Sequence, residues 1–340
     1  VGILIAIIGL FFSTPIALML GATESTKAYA STYLRYILIG SPFILGSFVL
    51  NNHLRYQGSA LYSMIGIITG SIINIALDPL FIFTFKLEVT GAALATIISQ
   101  TISFFILYFG TFKNDNIRIS IKRFKPKKDI YFTIFKNGMP SLSRQGISTI
   151  ANIAMNFACA PFGDAVIAGM SVYNRVMFIG VAVVIGYGQG YQPVCSFNFG
   201  AKKYDRVYNG YKFLAKITTV IIIVLSIIGY IFAPQLIAIF RKDVDVIKVG
   251  TQALRYQSFA MAVTGFCTAS NMLMQSLRIS GKATVLALAR QGIFYIPAII
   301  ILPRLFAQTG IALAQPVADI LSFILTIFLV MPTLKELKAK

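Results

Sequence analysis

Apolar residues fall in long unbroken blocks along this chain, and short polar clusters separate them. The blocks are too long for the half-turn alternation of a strand or the one-sided stripe of a soluble helix. Runs of about 20 such residues are long enough to cross a bilayer as helices. Ten spans are predicted, at 1–20, 32–53, 62–84, 91–111, 131–158, 166–190, 217–239, 252–274, 284–302 and 309–332. The expected fold class is an all-α polytopic membrane protein. Composition agrees: 57% of the 340 residues are hydrophobic and 12% are charged, where a soluble domain averages about a quarter charged.

The pattern repeats. Leu34-Arg-Tyr36 recurs as Leu254-Arg-Tyr256, Leu54-Arg-x-x-Gly58 as Leu277-Arg-x-x-Gly281, and Thr90-Gly-x-Ala-Leu-Ala95 as Thr309-Gly-x-Ala-Leu-Ala314. Pro15 pairs with Pro234, and Asp78-Pro-Leu-Phe81 with Leu302-Pro-Arg-Leu305. A duplicated unit of six spans keeps its orientation, so the halves are expected to be parallel lobes, an arrangement common in secondary transporters. The boundaries follow: an N-lobe at 1–112 with four spans, a basic cytoplasmic linker at 113–128, and a C-lobe at 129–340 with six. Residue 1 aligns within the second half's third span. It lies in an apolar segment without the basic start or cleavage site of a signal peptide. The expectation is ten of twelve helices, with two preceding ones missing.

Charge sets the topology. The formal net charge is +19, and Lys and Arg in alternate loops number 18 on one side and 6 on the other. That asymmetry places Lys113–Lys128, Lys202–Lys216 and the Lys335–Lys340 tail in the cytoplasm, C-terminus included. Basic residues interleaved with stacking aromatics in a foldable domain are lacking, so no nucleic-acid partner is expected. The segment Ala201–Tyr211 is predicted as a cytoplasmic interfacial helix. Cys159, Cys195 and Cys267 are dispersed and read as small buried hydrophobes. His53, the one histidine, reads as a solvated interfacial residue.

Candidate chemistry is confined to few positions. Of eleven acidic residues, Asp78 and Asp319 alone lie deep in apolar sequence, where a charge costs about 3 kcal/mol or more. Asn74 and Asp78 are four apart and share a helix face. Pro79 removes the N–H that the Ile75 carbonyl would accept. A carboxylate, a carboxamide and a freed carbonyl at one depth suit a hard cation such as Na+, or a proton. Asp319 is predicted to pair with Arg290. The pair either fixes helix packing or lines a substrate cavity, into which Arg144 is expected to point. Gly186-x-Gly188-x-Gly190 lacks the strand and Lys-Ser/Thr of a phosphate loop; with Pro193 it is predicted to end a helix and let a span bend.

These residues resemble the multidrug and toxic compound extrusion (MATE) family. The likeness is carried by Asn74-Ile-Ala-Leu-Asp-Pro-Leu-Phe-Ile82 with Thr90–Thr96, Gly188-Gln-Gly-Tyr-Gln-Pro193 with Asn198–Lys203, and Arg290-Gln291 with Gln315-Pro-Val-Ala-Asp319. The resemblance implies a two-lobed exporter of amphipathic, often cationic drugs, coupled to Na+ or H+ and working by alternating access. It implies a cation site in which Asn74, Asp78 and Thr96 act together, with Asn51 as a further polar member and a first-helix acid outside this sequence. A second family branch uses a glutamate near the position of Ser148, where no acid stands. The expected setting is a bacterial inner membrane and a monomer without cofactor, any bound metal being Na+ at Asp78. The rival reading is a lipid-linked oligosaccharide flippase of the same wider superfamily, whose cavity should be strongly cationic to hold pyrophosphate; the central cations here are few, Arg144, Arg255 and Arg290 among them. Catalysis is not expected: no clustered acid pair and no HExxH occurs.

Overall fold

The computed structural model describes residues 1–19, 26–113 and 127–339. Among them every regular element is helical. The chain forms two compact units, Val1–Phe124 and Lys125–Lys340. Most of the predicted basic linker lies outside the described residues.

The first unit contains α1 (Gly2–Met19), α2 (Lys27–Ile39), α3 (Ser41–Tyr56), α4 (Ala60–Pro79) and α5 (Glu88–Gly110). The predicted span 32–53 is two helices, α2 and α3, bent by 50° about Gly40. Gly40 packs against Ile97 so closely that an added Cβ would lie 2.9 Å from it. A hydropathy window misses such a bend because one glycine barely changes the mean. The α4–α5 pair is built on small residues. Ser63, Gly66 and Gly70 are the buried positions of α4, and Gly91, Ala95, Ser99 and Ser103 recur every four residues along α5. Small side chains let the backbones approach, which is how helices pack where lipid offers no hydrophobic drive. The Ser103 hydroxyl donates to the Gly66 carbonyl at 2.9 Å inside that seam.

The second unit contains α6 (Lys128–Cys159), α7 (Asp164–Gly200), α8 (Tyr204–Ile231), α9 (Ala233–Ala238), α10 (Val244–Met261), α11 (Thr264–Ser276), α12 (Ser280–Leu288) and α13 (Tyr295–Ala339). Two predictions are corrected here. The glycines before Pro193 do not end a helix: α7 runs through Gly188, Gly190 and Pro193 to Gly200. Neighbouring packing holds the turn that Pro193 weakens, for Gly188 lies against the Met272 side chain. Nor is Ala201–Tyr211 a separate interfacial helix, since Tyr204 opens α8 and Val207, Tyr211 and Leu214 are buried. In α13, by contrast, the helix breaks at Phe306 and Ala307, in the gap between the predicted spans 284–302 and 309–332; the first of these spans is made of α12, the π-helical turn Ala289–Ile293 and the start of α13.

Among the described residues six helical stretches are long and apolar enough to span a membrane, and the bent α2–α3 pair makes a seventh; the last stretch, Ser280–Ala339, contains the break at 306–307. Large apolar side chains face outward, with Phe11, Ile75, Phe157 and Phe328 each above 70% exposed. This is the inside-out distribution of a protein solvated by lipid.

The repeat is visible in the backbone. Gly58 and Arg278 both have positive φ at a helix end, and the bonds Ser59 N–H to Leu54 and Ile279 N–H to Met274 are the same capping pattern 220 residues apart. The structural register therefore pairs Gly58 with Arg278, three residues off the Leu-Arg-x-x-Gly alignment. Glu88 and Ala307, 219 apart, likewise share φ near +46°.

Candidate coupling and substrate sites

In the second unit the deep charges meet. The Arg290 Nε donates to Asp319 Oδ1 at 2.7 Å and its Nη2 to Oδ2 at 3.3 Å. Arg290 sits on a π-helical turn, Ala289–Ile293, which joins α12 to α13. Two amides complete the ring: Gln315 donates to Asp319 Oδ1 at 2.9 Å from one turn before it, and Gln257 of α10 donates to Oδ2 at 2.6 Å. Asp319 is 1% exposed and Gln257 fully buried, while the Arg290 side chain stays 22% accessible. Four donors on one carboxylate match its charge and fill its lone pairs. Burying such a pair gains little, whereas stranding one member costs about 3–5 kcal/mol.

Gln257 and Gln315 were not foreseen. Their signal lies in the repeat, at positions where the halves disagree: Ile37, Gly70, Thr96 and Gln100 in the first half stand where Gln257, Arg290, Gln315 and Asp319 stand in the second.

In the first unit Asn74 Nδ2 donates to Asp78 Oδ1 at 3.4 Å, and both residues are half-buried. Pro79 closes α4 and a π-helical turn, Leu80–Thr84, follows it. Thr96 is on α5, where its hydroxyl donates to the Ala92 carbonyl. An added Cβ on Gly70 would meet Ser103, one on Gly66 Leu107, and one on Gly91 Phe81; this antiparallel register puts Thr96 level with Ala76 and Leu77, within one turn of Asp78. Asn51 is not part of that group. It accepts from the Ser63 hydroxyl at 2.7 Å, and Ser63 is 15 residues before Asp78 on α4, about 22 Å along the helix. Its counterpart Asn271 donates to the Ala283 carbonyl at 2.8 Å, the same position on the next helix. Asn51 thus belongs to a helix clamp present in both units.

The Arg144 side chain, half-buried on α6, has no hydrogen-bond or ion-pair partner among the described residues. One turn further on, Ile147 packs against Gly292 of the π-helical turn that carries Arg290.

The MatE family model matches residues 1–80 and 140–301 of this sequence. The chain belongs to the MATE family. Multidrug export protein MepA of Staphylococcus saprophyticus is 30% identical over 320 residues, which cover 94% of this chain and 70% of that protein. MepA of Staphylococcus aureus strain MSSA476 is 30% identical over 321 residues, with the same coverage of each chain. Among solved structures, an outward-facing multidrug resistance MATE family transporter of the MOP superfamily superposes with a TM-score of 0.92 at 24% identity, covering 100% of this chain and 77% of its own. A MOP superfamily transporter from Pyrococcus furiosus, described as having a binding pocket of reverse polarity that suggests a different function, superposes with a TM-score of 0.91 at 25% identity, over 99% and 76%. The MATE relatives are multidrug transporters of bacterial membranes, and this chain is a multi-pass membrane protein of the same two-lobed helical class.

Proposed function

We propose that this MATE-family protein exports amphipathic or cationic drugs from a bacterial cytoplasm as an antiporter coupled to Na+ or H+, with Asp78 as the coupling carboxylate and Asn74 and Thr96 as its co-ligands. One contrast carries the reading. Asp319 is saturated by four donors, while Asp78 has Asn74 alone as a side-chain partner among the described residues. A carboxylate that picks up and releases a cation each cycle needs unfilled lone pairs, and Asp78 has them. Occupancy by the cation and by the drug would favour opposite states, and the alternation follows from that difference. The basic loops and the Lys335–Lys340 tail support a cytoplasmic C-terminus.

The flippase reading draws on Arg144, whose guanidinium is free. It is weakened at Arg290, whose charge Asp319 already neutralises. A pyrophosphate would have to compete for it.

The test is dye efflux from proteoliposomes containing the protein, with a sodium gradient and a pH gradient imposed separately. Efflux is expected under one gradient, which identifies the ion, and Asp78→Asn is expected to lower it at least tenfold while dye binding persists. Undiminished efflux in Asp78→Asn would remove that residue from coupling. Movement of an anionic lipid-linked sugar without dye efflux would favour the flippase.

A further inference from the structure

A pocket of about 630 Å³ lies where α9 meets the start of α10. Pro234 and Ile247 form its apolar wall, and Lys248, Thr251 and Arg255 line the other side. These three fall at intervals of three and four residues, on one face of α10 over about 10 Å. Both cations are exposed, and neither has an acidic partner among the described residues. The nearby Asp243 carboxylate is occupied, accepting the N–H groups of Asp245 and Val246 as the α10 cap. Asp245 forms no ion pair with Lys248. Arg255 is oriented by an aromatic face: its guanidinium carbon is 5.6 Å from the Tyr230 ring centre. The Thr251 hydroxyl has no hydrogen-bond partner among the described residues.

What lies beside the cations decides the ligand class. Tyr230 packs edge-on against Phe259 with ring centres 5.3 Å apart, and Phe259, one turn beyond Arg255, is 73% exposed. An exposed apolar aromatic pair therefore continues the α10 face from the cationic end. A soluble anion would use the charges and nothing else, whereas a phospholipid would use both. Among its described residues the first unit lacks this arrangement. Ala28 stands where Lys248 does, and the Arg35 guanidinium, equivalent to Arg255, already donates to Ser13 Oγ at 3.3 Å.

We propose that this pocket binds one anionic phospholipid, its phosphodiester held between Lys248 and Arg255 and an acyl chain laid along Tyr230 and Phe259. Headgroup recognition by basic side chains at a bilayer edge is worth about 1 kcal/mol per cation, or about fivefold.

The test is native mass spectrometry of the purified protein in micelles doped with phosphatidylglycerol or phosphatidylcholine. Phosphatidylglycerol is expected to be retained at least tenfold over phosphatidylcholine, with one lipid per protein dominating. Lys248→Gln and Arg255→Gln should each reduce retention about fivefold. Arg241→Gln with Lys242→Gln, in the same segment but outside the pocket, should leave it unchanged. Equal retention of the two lipids would overturn the proposal, as would an equal loss in the Arg241/Lys242 control. Displacement of the lipid by millimolar glycerophosphate would overturn it too, in favour of a soluble anion. Circular dichroism and unfolding midpoints in phosphatidylcholine, unchanged in the variants, separate lost binding from lost folding.

Discussion

At the residue scale, the two deep acids have opposite surroundings. Asp319 is enclosed by the guanidinium of Arg290 and two amides. Removing Arg290 would leave a buried carboxylate without its cation, and removing Asp319 would leave the cation without its anion. Arg290→Ala and Asp319→Asn should therefore each lower stability by about 3–5 kcal/mol, read as a loss of unfolding midpoint in detergent. The paired change Arg290→Met with Asp319→Leu should recover part of that loss, because it strands no charge, although the Gln257 and Gln315 amides lose their acceptor. A double variant as unstable as either single would mean the ion pair itself, and not the stranded charge, sets the cost. The sequence held half of this site. Asp319, Arg290 and the i, i+4 relation of Gln315 to Asp319 are readable in one dimension. Gln257 is 62 residues from Asp319, and no local pattern joins them. Asn51 shows the opposite failure. Its polarity fits a cation cluster, but its depth along α3 pairs it with Ser63, and depth is not legible from residue type.

At the element scale, close backbone approach decides which glycines matter. An added Cβ at Gly310 would lie 2.1 Å from the Leu302 carbonyl oxygen, and one at Gly91 2.9 Å from the Phe81 backbone. These are equivalent positions, each where a helix restarts after a backbone break with positive φ. Backbone cannot rotate aside as a side chain can. Gly310→Ala should cost about 1–3 kcal/mol or more from overpacking, and Gly91→Ala somewhat less. Gly186 and Gly190 have open space around them, so alanine there should be neutral or stabilise by up to about 1 kcal/mol. Unfolding midpoints of the four variants check the ranking; a destabilising Gly190→Ala would show that α7 does use its glycines to bend. The predicted spans match the helices well because blocks of apolar residues survive averaging. The breaks at Gly40, Phe232 and Ala262–Val263 were missed for the same reason: a helix can end for one residue without any change in hydropathy. The repeat was legible as words but slipped by three residues at Leu54-Arg. A helix cap is defined by φ and hydrogen bonds, and Arg278 takes the role that Gly58 has.

At the scale of the whole molecule, duplication produced two units with the same backbone devices and different chemistry. Both have the Asn clamp, the capped turn near residues 58 and 278 and the glycine restart, so these belong to the shared scaffold. The unfilled carboxylate is in the first unit and the filled one in the second. If Asp78 takes the coupling cation, binding must stabilise the folded protein through that unit. A ligand at 100 times its dissociation constant adds about 2.7 kcal/mol. The unfolding midpoint in detergent should then rise with sodium at constant ionic strength where sodium is the coupling ion, or respond to pH where the proton is. Asp78→Asn should abolish that response. The Arg290→Met, Asp319→Leu variant should keep it, since a filled ion pair has no vacancy for a further cation. Loss of the response in the paired variant, with Asp78→Asn unaffected, would assign the coupling cation to the second unit and leave Asp78 as a partner of Asn74 at the end of α4.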